Sequence, residues 1–277
     1  MNILICSKRD LTSTVFLNDL LERLAPLPGC RLHLVLAERT RPIETQVPEL
    51  VQMKLYERDL PFQVLFPLLE ADPRPADLMT PAGLAARYGV ALSVVRGIND
   101  PVFQKVLDDF SPDLILSARF SFLFPPDLIA APARGVINVH PGRVPDYAGL
   151  YPHFFAMLAG ERTHGCTVHM VDGNIDTGAI LAEGEVPIDP TLTAFALNLE
   201  SHLLGNRLVT DVILSWLKGH STHAVPQRQS KLRSNTYPTP AEFEKFRVAG
   251  LSLIRADEYL DILRRFGASE CRLAGAG

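Results

Sequence analysis

The sequence shows no signal for membrane insertion, for secretion, or for a zinc or disulfide framework. None of its apolar runs approaches the ~20 residues that a membrane-spanning helix needs, and Lys8 and Arg9 follow the first apolar residues too soon for a secretory signal. Its four cysteines are widely spaced and form no Cys-x-x-Cys pair, so neither a zinc framework nor a disulfide scaffold is expected. We therefore expect a cytoplasmic protein.

Positive charge and a glycine-rich phosphate turn are also missing. The net charge is −4, so the basic footprint of a nucleic-acid binder is absent. The segment from Ser7 to Thr12 contains no glycine, which argues against a dinucleotide-binding Gly-x-Gly-x-x-Gly turn and against a phosphate-binding turn at this position. Lys8 and Arg9 remain able to meet some other anion.

Short apolar runs alternate with helical patterns along the chain, which is typical of an α/β domain with a parallel sheet. We predict a Rossmann-like, mostly parallel sheet with helices on both faces. The predicted strands cover residues 2–6, 32–36, 91–95, 114–117, 135–139, 166–171 and 179–186. The predicted helices cover residues 12–24, 101–110 with Asn99 or Asp100 as cap, 151–159 and 191–218.

The chain is expected to divide into a main domain, residues 1–219, and a small C-terminal extension, residues 220–277. The proline-rich segment 38–88 interrupts the pattern of the main domain and is interpreted as an insertion or lid. Four short helices complete the prediction, at residues 48–56, 81–88, 240–247 and 256–266, and residues 268–277 are expected to be mobile.

The stretch Gly135–Pro141 joins an apolar strand to polar side chains at its end. Asn138 and His140 point to the same face of that strand, because side chains alternate with a period of two. Ligands of α/β proteins lie outside the carboxyl ends of strands. Asn138 and His140 are therefore candidate site residues, although an isolated pair of this kind is also typical of polar groups satisfied beside a turn.

The stretch Val171–Gly178 contains two glycines and an asparagine, which predicts a tight loop. Such a loop can return a carboxylate, from Asp172 or Asp176, to the edge of the sheet. Asp172 has the alternative of capping only its own turn.

These two stretches, with Tyr147–Gly149, Gly165–His169 and Ser111–Leu116, resemble the folate-dependent formyltransferases. That family includes the glycinamide ribonucleotide, methionyl-tRNA and amino-sugar N-formyltransferases. The resemblance covers roughly residues 90–190. It implies that residues 1–219 are a formyltransferase catalytic domain and that 10-formyltetrahydrofolate is the formyl donor.

By this resemblance the catalytic residues are Asn138, His140 and Asp176. Their chemistry suits formyl transfer, because attack of an amine on the formyl carbon develops negative charge on oxygen, which hydrogen-bond donors stabilise. The amine must also lose a proton while the folate nitrogen gains one, and His140 with Asp176 can carry it.

The resemblance also implies which residues contact the folate. The family's pterin-binding segments correspond to two stretches of this chain. The loop after the histidine reads Gly142-Arg143-Val144-Pro145 where the family usually has Ser-Leu-Leu-Pro. The expected donor-binding residues are Phe122, Leu123, Phe124, Val144, Val171, Asp172 and Gly173.

The remaining histidines fit other interpretations. His169 lies in an apolar strand and is interpreted as structural, whereas His153 is assigned equally to capping a helix or to binding the acceptor. The spacing of His140, His153, His164 and His169 fits no standard zinc pattern, so no metal is expected.

The acceptor is predicted to be a small amine, either a nucleotide-linked amino sugar or an amino-acid-derived metabolite. Glycinamide ribonucleotide and tRNA are disfavoured by the missing glycine turn and the acidic charge. Segment 38–88 and the residues near Asn235–Pro238 are expected to shape the pocket. Alternatives are a 10-formyltetrahydrofolate hydrolase and a non-catalytic binding module of the same fold. The oligomeric state is left open, with a homodimer as one alternative.

Overall fold

The computed structural model describes residues 1–189, 191–228 and 234–268, and they form one mixed sheet covered by helices. The sheet has seven strands in the order β3-β2-β1-β4-β5-β6-β7. Strands β1 to β5 are parallel, and β6 and β7 are antiparallel to their neighbours. The predicted α/β, mostly parallel architecture is confirmed. The strands are β1 Asn2–Lys8, β2 Arg31–Ala37, β3 Ala91–Val95, β4 Leu114–Ala118, β5 Val136–His140, β6 Thr163–Met170 and β7 Ile180–Pro187.

Helices cover both faces of the sheet, as the sequence predicts. Helices α1 and α8 pack on one face in the largest hydrophobic cluster, and α5 and α6 pack on the other face. The helices are α1 Leu11–Leu24, α2 Pro48–Lys54, α3 Phe66–Ala71, α4 Pro81–Tyr88, α5 Pro101–Phe110, α6 Pro126–Ala130, α7 Pro152–Leu158, α8 Ala194–Leu217, α9 Pro240–Val248 and α10 Ala256–Arg265. Among the described residues, none of these helices has the length and apolarity needed to cross a bilayer.

Side-chain caps fix where the main helices begin. Asp10 accepts a hydrogen bond from the backbone N–H of Ser13 at the start of α1, and Asp100 rather than Asn99 caps α5. Thr193 caps α8, so this helix begins at Ala194 and not at residue 191 as predicted. A capping side chain satisfies backbone donors that the first turn leaves free.

Segment 38–88 forms the helical connection between β2 and β3. Its longest helical stretch contains two π-helical turns, Leu55–Asp59 and Pro61–Leu65. Pro61 has no N–H to donate, and its ring crowds the carbonyl four residues earlier, so a wider turn is favoured here. The predicted α-helix 48–56 therefore ends at Lys54.

The C-terminal helix α10 packs against this connection. The rings of Tyr56 and Tyr259 lie 4.9 Å apart, and those of Phe66 and Phe266 lie 5.1 Å apart. The proposed division at residue 219 and the lid interpretation stay predictions. Cys6 and Cys166 are buried, Cys30 is half-buried, and all three are free thiols, whereas Cys271 and the expected mobility of residues 269–277 lie outside the described residues.

Candidate active site

The structure brings Asn138, His140 and Asp176 together at the carboxyl end of β5. Nδ1 of His140 lies 3.5 Å from Oδ2 of Asp176. The amide nitrogen of Asn138 donates to Oδ1 of the same carboxylate at 3.5 Å. The predicted common face of Asn138 and His140 on the strand and the predicted return of a loop carboxylate are both observed, and the carboxylate is that of Asp176.

The loop after β6 holds Asp176 in an unusual backbone conformation. Its φ of 52° lies in the left-handed region, which non-glycine residues rarely adopt. Gly178 lets the loop pass close to β6, since a Cβ at this position would lie 1.8 Å from the carbonyl oxygen of Met170. The backbone N–H of Gly149 donates to Oδ2 of Asp176 at 2.8 Å and fixes the carboxylate from the opposite side.

Asp176 is held in its charged form. Burial alone would raise the pKa of this carboxyl, but the His140 imidazole, the His169 imidazole and the N–H of Gly149 together hold the pKa of Asp176 well below its ordinary value. The site therefore keeps a buried negative charge beside His140.

The hydrogen bonds of His140 restrict where its proton can be. Nε2 lies 2.8 Å from the carbonyl oxygen of Tyr147, and because a carbonyl only accepts, Nε2 is the donor. In the neutral ring Nδ1 is then a bare acceptor that faces the Asp176 carboxylate. Any proton that passes between His140 and Asp176 must therefore pass through Nδ1.

His169 belongs to the same cluster, and its interpretation as a structural residue stays a prediction. Its Nδ1 donates to the carbonyl of Met170 at 2.7 Å, and its Nε2 lies 3.3 Å from the amide nitrogen of Asn138. Nε2 also lies 3.5 Å from Oδ1 of Asp176. The contact arises because Asn138 pairs with His169 across the antiparallel β5–β6 register.

Other buried histidines lie near the cluster without joining it. His153 follows the first residue of α7, and no side chain caps that helix, so the capping interpretation of His153 is wrong. Burial lowers the pKa of His153 well below its ordinary value and lowers that of His164 to about 4. Both rings are neutral near pH 7. Among the described residues, no group of three His, Cys, Asp or Glu side chains is placed to hold a metal ion.

Four of the residues expected to bind the donor lie together on one side of the site. Phe124 is buried in the cluster on the α5 face, and Phe122 and Val171 pack against the same cluster. Phe120 stacks on Phe124 with ring centroids 5.2 Å apart. Leu123, which precedes Phe124 in the chain, is 74% exposed. This aromatic loop, residues 120–124, therefore combines buried aromatic rings with an exposed apolar side chain.

The other three expected donor contacts lie elsewhere in the site. Val144 is buried, and its N–H approaches the Thr167 hydroxyl at 3.4 Å. Asp172 and Gly173 are exposed on the Asp176 loop. Asp172 accepts from the N–H of Asn174 at 2.9 Å and from the Thr177 hydroxyl, so it does cap its own turn.

A buried ion cluster occupies the point where the strand order reverses, between β1 and β4. Arg119 donates to Asp10 at 2.7 Å and lies 3.6 Å from Glu57, which accepts from the Thr12 hydroxyl. Burial opposes ionisation of Asp10, yet Arg119 and Lys8 hold the pKa of this carboxyl below its ordinary value. None of these contacts was foreseen from the sequence, because Glu57 comes from the 38–88 segment.

Part of the chain is similar to known formyltransferases. Residues 80–213 match the formyl transferase family model, and this range contains Asn138, His140 and Asp176. The chain is 34% identical over 146 residues to a methionyl-tRNA formyltransferase from Syntrophus aciditrophicus, which covers 53% of this chain and 46% of that protein. A second, from Roseiflexus castenholzii, is 30% identical over 183 residues, or 64% of this chain and 57% of that protein.

Solved structures share the fold. The chain resembles a 4-N formyltransferase from Francisella tularensis with a TM-score of 0.55 and 16% identity, over 88% of this chain and 86% of that one. It resembles a sugar N-formyltransferase from Shewanella with a TM-score of 0.51 and 19% identity, over 96% of this chain and 87% of that one. The resemblance to the formyltransferases is confirmed, whereas the chain spans only about half the length of the curated relatives it matches.

Proposed function

We propose, on the premise that residues 80–213 are a formyltransferase domain, that this protein transfers a formyl group from 10-formyltetrahydrofolate to the amine of a small acceptor. The observation that carries the proposal is the convergence of Asn138, His140 and the buried carboxylate of Asp176 at the end of β5. An amide donor, an imidazole and a carboxylate are the groups that acyl transfer to an amine requires.

In this proposal Asn138 stabilises the developing charge, and His140 and Asp176 transfer protons. Asn138 donates an N–H to the formyl oxygen as the amine attacks and the carbonyl becomes an oxyanion. The His140–Asp176 pair gives a proton to the leaving folate nitrogen. The acceptor amine then returns a proton to the His140–Asp176 pair, so the site ends in its starting state. The folate supplies the activated formyl group.

The aromatic loop fits the expected donor. The exposed Leu123 and the rings of Phe122 and Phe124 lie on the face of the sheet to which Asn138 and His140 point. Val171 packs against the same cluster from the start of the loop that carries Asp176. We infer that a pterin ring lies on this surface, with its formyl group towards Asn138.

The charged residues around the N-terminus of α1 support an acceptor that does not bind there through a phosphate group. The N-terminus of α1 is a natural anion site, but the chain's own Asp10 already caps it. Lys8 and Arg9 are also neutralised, by Glu44 at 3.5 Å and by Glu38 at 2.6 Å. A nucleotide-linked amino sugar or an amino-acid-derived amine fits these charges better than glycinamide ribonucleotide. The expected cytoplasmic location and the homodimer stay predictions.

A second candidate function is formylation of methionyl-tRNA, which the names of the curated relatives favour. The net charge of −4 argues against it. Hydrolysis of the formyl-folate with water as acceptor is the third candidate, because it needs the same three side chains.

One experiment separates these functions. The purified protein is incubated with 10-formyltetrahydrofolate alone, with methionyl-tRNA, and with a panel of amino sugars, nucleotide-linked amino sugars and diamino acids, while tetrahydrofolate release is followed. The proposal expects release that depends on a small amine and a formylated product of the corresponding mass. Release without any amine would assign a hydrolase, and release only with charged tRNA would assign the second candidate. No release under any condition would contradict the proposal.

A further inference from the structure

The chain beyond α8 contacts both loops that hold Asp176. Gln227 reaches the Asp176 loop, and Asn235 reaches the loop that contains Gly149. We propose that Gln227 is a positioning residue, which sets the place of the Asp176 carboxylate through the backbone of its loop. This inference rests on the proposed function for its effect on catalysis, but its structural part can be tested separately.

The side chain of Gln227 forms hydrogen bonds to two backbone carbonyls of the Asp176 loop. Its side-chain amide donates to the carbonyl of Asp176 at 3.0 Å and to the carbonyl of Gly178 at 2.6 Å. Both hydrogens of the amide are therefore used on this one loop. A non-glycine residue in the left-handed region is strained and persists only where its surroundings hold it. The hydrogen bonds of Gln227 are part of the contacts that keep Asp176 in this conformation.

The base of Gln227 is itself anchored to the sheet. Val225, two residues earlier, exchanges backbone hydrogen bonds of 2.8 Å with Ile180 at the start of β7. The amide of Gln227 thus extends from a fixed point beside the strand that follows the Asp176 loop. A rigid base is needed if a side chain is to position another group.

Asn235 secures the other side of the carboxylate. Its backbone N–H donates to Ala148 at 2.8 Å, and its carbonyl accepts from Leu150 at 2.9 Å. Between them, Gly149 donates to the Asp176 carboxylate, and a Cβ on Gly149 would lie 2.2 Å from the Asn235 carbonyl oxygen. Asp176 is therefore held at its backbone by Gln227 and at its side chain by a loop paired with Asn235.

These contacts give a role to part of the C-terminal extension. Gln227 and Asn235 both lie outside residues 80–213, which match the formyltransferase family model. Neither residue is assigned to catalysis or donor binding. In this proposal the position of the Asp176 carboxylate beside Asn138 and His140 depends on both.

The catalytic test compares three variants. Gln227→Ala removes both hydrogen bonds, and Gln227→Glu keeps the size but places an acceptor against two carbonyls. Each is expected to lower kcat about tenfold or more with KM for 10-formyltetrahydrofolate within about twofold, since misplacing a catalytic group acts on the transition state. Gln104→Ala is the matched control, because Gln104 also donates to a backbone carbonyl, that of Ile98, on the exposed surface of α5. It should leave kcat unchanged.

A double-mutant cycle tests whether Gln227 acts through Asp176. In an Asp176→Asn background, measured by single turnover, Gln227→Ala should lower the rate less than about twofold further, because the group that it positions is already inactive. Full additivity of the two losses would overturn the proposal.

Hydrogen exchange tests the contact without any activity. In Gln227→Ala, backbone amides between residues 172 and 180 should exchange faster, while those of α1 and α8 should not change. Unchanged exchange in this loop would overturn the proposal even if the variant lost activity. Faster exchange in a protein that transfers no formyl group would uphold the contact and reject only the proposed function.

Discussion

At the scale of single residues, the site consists of two imidazoles and one side-chain amide arranged around the Asp176 carboxylate. His140 and His169 each donate to a backbone carbonyl from one ring nitrogen. Each therefore presents its other nitrogen to the carboxylate. That nitrogen of His169 also lies 3.3 Å from the Asn138 amide, whereas that of His140 lies 3.5 Å from Asp176. Proton exchange between His140 and Asp176 therefore has to use Nδ1.

The first prediction concerns the three catalytic candidates. Asn138→Ala, His140→Ala and Asp176→Ala should each lower formyl transfer at least about a hundredfold, the usual scale for loss of an oxyanion donor or a proton carrier. The measurement is kcat/KM with the acceptor identified by the amine panel, with circular dichroism to confirm folding. Near-normal turnover of the His140 variant would show that its assigned role is wrong.

The second prediction concerns the donor surface. Leu123→Ser should raise KM for 10-formyltetrahydrofolate several-fold and change the free energy of unfolding by less than about 0.5 kcal/mol, because the side chain is 74% exposed and packs little in the free protein. Val248→Ser is the matched control, since Val248 is 77% exposed on α9. Equal KM values for the two variants would remove Leu123 from the donor site.

At the scale of elements, the loop between β6 and β7 determines whether Asp176 reaches β5. The loop turns back over the last residue of β6 only because Gly178 has no side chain there. Gly173, in the same loop, has nothing within 4 Å of a built Cβ. One glycine is thus required by a close approach, and the other is not.

The third prediction uses this contrast within one loop. Gly178→Ala should lower the free energy of unfolding by roughly 2 kcal/mol or more and reduce activity strongly, because a Cβ cannot lie 1.8 Å from the Met170 carbonyl without moving the loop. Gly173→Ala should leave the free energy of unfolding close to that of the wild type. Urea unfolding and steady-state rates measure the two effects of Gly178→Ala, and an equal loss of stability in the two variants would contradict this loop geometry.

The elements also show what the sequence could and could not predict. The period of two placed Asn138 and His140 on one face, and the glycines of residues 171–178 predicted a loop that returns a carboxylate. Which carboxylate returns depends on backbone conformations that composition does not specify. His169 was missed because its contact requires the β5–β6 register, and Gln227 because its partners are about fifty positions away, at Asp176 and Gly178.

At the scale of the whole molecule, several histidines are buried in neutral form. Burial lowers the pKa of His202 to about 3, that of His164 to about 4, and that of His153 well below its ordinary value. His202 stacks on Phe16 with ring centroids 5.1 Å apart, so it lies between α1 and α8, which together cover one face of the sheet. Protonation of these rings is therefore coupled to the packing of the main core.

The last prediction follows from the sign of this coupling. Above pH ~6.5 the three rings are neutral in both states. Below it the unfolded chain binds protons that the folded protein excludes, so stability falls as the pH is lowered from about 6.5 towards the folded pKa values. Each histidine contributes about 1.4 kcal/mol per pH unit in that window. Urea unfolding at pH 7.5, 6.5, 5.5 and 5.0 should therefore show a steep loss of stability on the acid side.

Removing one ring isolates this effect from every other titrating group. His202→Leu keeps an apolar side chain against Phe16, and whatever it does to stability at pH 7.5, the fall between pH 6.5 and 5.0 should be shallower than in the wild type by about one proton's contribution. His164→Leu should behave in the same way, since the pKa of His164 is also depressed by burial. If both variants lose stability with pH as steeply as the wild type, the buried rings do not set the acid limit of the fold. The loss of stability between pH 6.5 and 5.0 must then originate in other titrating groups, because the stabilising charge of the Asp10 and Asp176 carboxylates is lost only below the ordinary aspartate pKa of about 3.9.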